Sequence, residues 1–223
     1  MEQPDQRSVP RHRRLIRLFP FLWVSCVLTL LWLLLEWTLG KADGHLLLNH
    51  WTSLSFDPFF LAITRIGEGW VFGIGILYFL FRSFRDTAAI ALCGLVVLFG
   101  SAFLKHYVFT EALRPFAFFG EDELRLVEGL QMHRFHSFPS GHALASFASL
   151  SILALCWNQR FFGWALAIVA LLAAFSRVYL SQHFMEDIVA GAWIGCLFTY
   201  LSWTWSRRWS APLWDKALGS AKK

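Results

Sequence analysis

Three short polar clusters interrupt an otherwise apolar chain, and their residue types share one chemical use. The first is Lys105 with Arg114-Pro115, the second is Pro139-Ser140-Gly141-His142, and the third is Ser176-Arg177 followed by His183 and Asp187. Ser140 is a favourable helix N-cap and Gly141 lets a ligand approach the backbone. A helix opening there offers free amides and a positive dipole end to an anion. Lys105, Arg114 and Arg177 add three fixed positive charges, and the two guanidinium groups suit the paired oxygens of a phosphate. His183 and Asp187 are four apart on one helical face, so the carboxylate can accept a proton from one ring nitrogen and leave the other as a basic lone pair. That arrangement equips His183 as a nucleophile. His142 is a second imidazole, suited to protonating a leaving alkoxide and then activating water against a phosphohistidine. The sequence shows no compact carboxylate cluster to hold Mg2+, so the expected phosphoryl transfer is metal-independent, needs no cofactor, and relies on the three cations for charge neutralisation.

These clusters must be positioned by elements that live in lipid. Of 223 residues, 57% are apolar and 16% charged, with 23 Phe and 12 Trp and a mean hydropathy of +0.49. That is more apolar surface than one aqueous core of this size hides, and it excludes a soluble globule, a disordered chain and a coiled coil. The net charge of +5 sits in short segments flanking apolar runs, which points to membrane topology and lipid-surface attraction and away from nucleic acid. The four cysteines each stand alone inside an apolar run, as small buried hydrophobes and not as a disulfide framework or zinc site.

Six apolar runs predict an all-α bundle of six transmembrane helices: 18–35, 69–81, 87–104, 143–159, 161–176 and 188–206. The first is too long for a signal-peptide core and no cleavage site follows it, so it is a retained span. The second has a short uncharged core; it extends over Arg82, or it begins earlier, near Phe59, as a bent and partly interfacial segment. With the N-terminus inside, thirteen of the 20 basic residues fall on the cytoplasmic side, an N-in, C-in arrangement. The chain then divides into a basic cytoplasmic tail (1–17), a six-helix domain (18–207) and a cytoplasmic C-terminal tail (208–223). The long polar stretch 111–137 lies on the outer side with all three clusters, and its Glu121-Asp122-Glu123 patch reads as solvated surface. Taken singly, a Lys or Arg at a helix end anchors the helix at the interface. Convergence of three clusters on one membrane face is what carries the functional reading.

In this order and spacing, the clusters resemble the tripartite signature of the phosphatidic acid phosphatase type 2 superfamily. Pro-Ser-Gly-His at 139–142 and Ser-Arg-x5-His-x3-Asp at 176–187 match fully. In the first part, eight residues separate Lys105 from Arg114 where the family has six. The resemblance implies a membrane lipid phosphatase whose residue matching His183 attacks phosphorus, while that matching Asp187 orients it. The residue matching His142 is then acid and base, and those matching Lys105, Arg114, Ser140, Gly141 and Arg177 hold the phosphate. It implies a bacterial inner-membrane protein with its site on the periplasmic or extracellular side. The substrate class is a lipid phosphate: phosphatidic acid, phosphatidylglycerophosphate, undecaprenyl diphosphate or a lipid A phosphate. A phosphotransferase with the same site and a non-enzymatic lipid-binding or transport protein are the alternatives. Glu111, Phe116, Phe118, Phe119 and the loop to Phe138 are candidate lipid selectors, although aromatics placed there read first as interfacial anchors, and Glu36 and Glu68 near membrane ends are candidates of the same standing; the sequence does not set the oligomeric state.

Overall fold

A computed structural model of the chain describes residues 15–157, 160–210 and 212–218. Arg7, Arg11, Arg13 and Arg14 of the basic tail, Gln159 at the expected end of one helix, and Lys222 and Lys223 lie outside the described residues.

Pro20 stands in the first turn of α1 (Phe19–His50), where its missing amide removes no helical bond. The helix runs past the expected end at Leu35, because Glu36 is a good helix former and polarity alone does not stop a helix. It breaks instead at Gly40, which takes φ 74 and ψ 174, a conformation open to glycine and costly to other residues. The turns beyond the break, residues 41–50, form a short arm. Next come α2 (Asp57–Ile63), a 3-10 stretch (Thr64–Gly67) and α3 (Trp70–Leu80), which together form an apolar path bent by 56°. This is the bent form of the second segment.

Ser83 caps α4 (Phe84–Phe103), accepting the Asp86 amide at 3.3 Å, and α4 continues into a π turn over Leu104–Val108. A short α5 (Pro115–Phe119) lies in the long polar stretch. Ser140 caps α6 (Gly141–Cys156) as expected, its Oγ accepting the Ala143 amide at 3.4 Å. The last two long helices are α7 (Arg160–Tyr179) and α8 (Met185–Ser206).

α6 is the hub, buried without interruption from Ala143 to Ile152 and packed on α4, α7 and α8. Its contact with α8 is a backbone approach. A Cβ on Gly191 would lie 2.7 Å from the Ser140 carbonyl oxygen, and one on Gly195 would lie 2.6 Å from that of Leu144. Glycines four apart allow helices in lipid to meet this closely and gain van der Waals contact. Buried hydroxyls bond within the bundle, as Ser151 and Thr199 do at 2.8 Å. The outward faces carry exposed Leu30, Leu34, Leu98 and Phe99, the pattern of a bundle whose solvent is hydrocarbon.

No strand occurs among the described residues. Among the described residues, four stretches are long and apolar enough to cross a membrane: Ile16–His50, Phe84–Val108, Phe162–Tyr179 and Met185–Ser206. Counting the bent pair as one span makes five. α6 is apolar but shorter, at 16 residues.

Candidate active site

The site forms where the N-terminal ends of α6 and α8 meet the C-terminal end of α7. The Ser140 amide donates to the Asp187 carbonyl at 3.0 Å, so the two helix starts are bonded directly. Asp187, in the first turn of α8, accepts the Phe184 amide at 2.9 Å through Oδ2. The same oxygen accepts the Ser137 hydroxyl at 2.5 Å and lies 3.2 Å from His183 Nδ1. His183 is 1% exposed and Asp187 likewise. With Nδ1 committed to the carboxylate, Nε2 is the nitrogen left with a lone pair.

The expected cations surround this pair. Arg114 donates through Nε to the Phe135 carbonyl at 3.0 Å and through Nη1 to the carbonyl and side-chain oxygens of Gln182 at 3.1 and 3.3 Å. Its guanidinium is thereby tied beside the residue preceding His183. Arg177, on the last turn of α7, donates from Nη1 to Thr64 Oγ1 at 2.9 Å. Its Nε is buried without a partner among the described residues, an unmade bond that an incoming oxyanion would complete. Lys105 sits in the π turn, and its Nζ lies 3.4 Å from where a Cβ on Gly141 would be. The eight-residue spacing to Arg114 therefore still brings the ammonium group to the start of α6. Burial and the charges of Arg114, Arg177 and Lys105 hold the His183 imidazole well below its ordinary pKa, in the neutral form a nucleophile requires. Burial also lowers Arg114 from its usual value.

His142 follows Gly141 in the first turn of α6 and is pressed by the elbow of the bent segment. A Cβ on Gly67 would lie 2.7 Å from the His142 Cβ, so glycine at the elbow lets this turn sit flush against α6. Thr64 and Gly67 thus support Arg177 and His142 from one 3-10 stretch. All eight residues expected from the sequence, Lys105, Arg114, Ser140, Gly141, His142, Arg177, His183 and Asp187, line this one region.

Sequence reasoning missed Ser137, Gln182 and Thr64, each a common residue whose partner is distant in the chain. Ser137 is separated from Asp187 by 50 positions. Of the candidate selectors, Phe118 and Phe119 pack on Phe184, with ring centroids 5.7 and 6.2 Å away, and Arg134 lies over Phe116. Glu111, Glu121, Asp122 and Glu123 are exposed. The long stretch is anchored at Arg125, which donates to both Asp57 oxygens at 3.1 and 2.5 Å. Among the described residues, no group of three or more His, Cys, Asp or Glu side chains is arranged to hold a metal ion.

Comparison with known proteins agrees in sequence and in fold. Lipid A 4'-phosphatase of Porphyromonas gingivalis is 27% identical over 167 residues, 69% of each chain. Undecaprenyl-diphosphatase of Sulfolobus acidocaldarius is 26% identical over 158 residues, 70% of this chain and 73% of the relative. Escherichia coli YbjG is 37% identical over a 70-residue stretch, so this chain spans 35% of its length. The crystal structure of Aquifex aeolicus LpxE superposes with a TM-score of 0.62 at 24% identity, covering 72% of this chain and 92% of that one. The family model of the PAP2 superfamily matches residues 86–211, which hold all three clusters, and the chain belongs to that superfamily.

Proposed function

We propose that the chain is an integral membrane lipid phosphate phosphatase that works through a phosphohistidine. The observation that carries this is the buried Ser137–Asp187–His183 chain of hydrogen bonds, set among Lys105, Arg114 and Arg177. His183 Nε2 attacks phosphorus and the bond to the lipid oxygen breaks, with His142 giving that oxygen its proton. Water then loses a proton to His142 and attacks the phosphohistidine, releasing inorganic phosphate and restoring His183. Asp187 holds the ring in the attacking tautomer and stabilises the charge it gains. Lys105, Arg114, Arg177 and the Ser140–Gly141 amides hold the phosphate oxygens as negative charge shifts. No step calls on a metal ion.

The substrate is a lipid carrying a terminal phosphate or diphosphate. Relatives named for lipid A and for undecaprenyl diphosphate support both forms of that group, and phosphatidic acid and phosphatidylglycerophosphate present it equally. In the proposed topology the bent segment and α6 complete six spans between tails at 1–17 and 208–223. N- and C-termini face the cytoplasm, and the site faces the outside of a bacterial inner membrane. A single cysteine introduced at Lys216 in an otherwise cysteine-free chain should then react with a membrane-impermeant maleimide only after the cells are opened.

The decisive test is phosphate release by detergent-purified protein from these four lipid phosphates, with EDTA present and His183→Ala in parallel. Release that survives EDTA and disappears in His183→Ala is the expected result. Absence of release from every lipid by folded wild type would overturn it, and transfer of the phosphoryl group to an added alcohol without hydrolysis would identify a phosphotransferase.

A further inference from the structure

α7 does not end as most helices do. The amides of Ser181 and Gln182 donate back to the carbonyls of Val178 and Arg177, both at 2.9 Å, and Ser181 takes φ 49. This closure places a left-handed residue just beyond the helix, a position normally given to glycine because a Cβ is strained there. Here it is serine. The closure also has a functional output, because the Arg177 carbonyl additionally accepts the His183 amide at 3.1 Å. Hence the turn at Ser181 sets where His183 stands relative to Arg177.

The Ser181 hydroxyl is fully buried and gripped from the arm of α1. Asn49 Nδ2 donates to it at 2.9 Å, and His45 Nε2 lies 3.3 Å away. Since Asn49 donates, the hydroxyl proton is free to go to His45 Nε2. Asn49 is itself fixed, accepting the Arg125 amide at 2.8 Å and donating to the Arg125 carbonyl at 3.0 Å. His45 stacks on Phe119, while its Nδ1 is buried with no partner among the described residues. An imidazole kept there with one nitrogen unsatisfied is a poor choice for packing alone. At the near end of the arm, Lys41 pairs with Glu186 at 2.5 Å and lies over the Phe184 ring. The arm therefore clasps both sides of His183, although it lies outside the residues matched to the family.

We propose that the arm of α1 is a positioning element: His45 and Asn49 grip Ser181, hold its left-handed turn, and so set His183 against the phosphate site. The proposal rests on the phosphatase reading only for its kinetic consequence. The variants are Ser181→Ala, Ser181→Gly, His45→Phe and Asn49→Leu, all checked for unchanged thermal unfolding. Ser181→Ala should lower kcat about tenfold with KM within about twofold, because the phosphate cradle is untouched while the nucleophile is displaced. Ser181→Gly should recover most of that loss, since glycine adopts the turn without being held. His45→Phe and Asn49→Leu should each lower kcat, and neither should have an effect in the Ser181→Gly background. Hydrogen exchange of the 181–184 amides reads the same turn without any turnover. It should be about tenfold faster in Ser181→Ala, His45→Phe and Asn49→Leu and near wild type in Ser181→Gly. Equal kcat and equal exchange for the alanine and glycine variants, or losses appearing in KM, would overturn the proposal. The expected exchange pattern without phosphate release from any lipid would overturn the phosphatase reading alone.

Discussion

Asp187 Oδ2 receives three donors, the Ser137 hydroxyl, the Phe184 amide and His183 Nδ1, so its rotamer and the ring it orients are set together. Replacing Ser137 with alanine should lower kcat by about tenfold, the scale of one buried hydrogen bond to a charged group, and leave the KM for lipid nearly unchanged. The pH profile follows from the direction of the His183 shift. Burial and neighbouring cations lower its pKa, so the free enzyme keeps a neutral nucleophile below pH 6.5 and loses it only at more acid pH. The acid limb of kcat/KM should therefore lie below about 6.5, the ordinary histidine value. In Arg114→Gln, with one cation gone, that limb should move upward while the whole profile drops; a limb that stays put would contradict the charge argument. The candidate catalytic residues His142, His183 and Asp187 stand out in the sequence because each is an ionisable residue at a helix end in an apolar chain, where such groups are costly. Ser137, Gln182 and Thr64 do not, because their polarity is ordinary and their value comes from partners 50 to more than 100 residues away.

Helix ends deliver those residues, and the crossing of α6 with α8 decides how closely the two ends meet. Gly191 lies against the Ser140 carbonyl at the proposed phosphate cradle, whereas Gly195 lies one turn deeper. Either glycine changed to alanine forces backbone apart and should destabilise by about 1–3 kcal/mol, the range of overpacked cores. Gly191→Ala should in addition cost more activity than Gly195→Ala, as read by thermal unfolding and phosphate release on the same samples. Spans 87–104 and 188–206 were legible from uncharged length. The arm 41–50 was not, because Glu36, Lys41 and Asp43 end the apolar run while helical turns resume beyond the break at Gly40; Lys41 finds its partner in Glu186, far along the chain. The elbow at Thr64–Gly67 was legible only as a short, weak second segment, since its bend answers to packing against His142 and Arg177.

At the scale of the whole molecule, the apolar composition and the distribution of charge made a membrane bundle legible, but helix length within it is unequal. α6 has 16 residues, about 24 Å of helix at 1.5 Å per residue, against a hydrocarbon core of about 30 Å. It carries the proposed phosphate cradle at its N-terminal end and is enclosed by α4, α7 and α8. If α6 is one of six spans as proposed, its cradle end would sit below the head-group plane, recessed among the longer helices that enclose it. On the proposed function, a lipid phosphate would then be reached without its chains leaving the leaflet, and the membrane itself would become a parameter of the reaction. Reconstituted into vesicles of increasing acyl length at fixed substrate fraction, the enzyme should be fastest in thin bilayers and slow steadily as hydrophobic mismatch grows. A protein built this way would have its rate set partly by the thickness of its own membrane, through the depth of one recessed helix end.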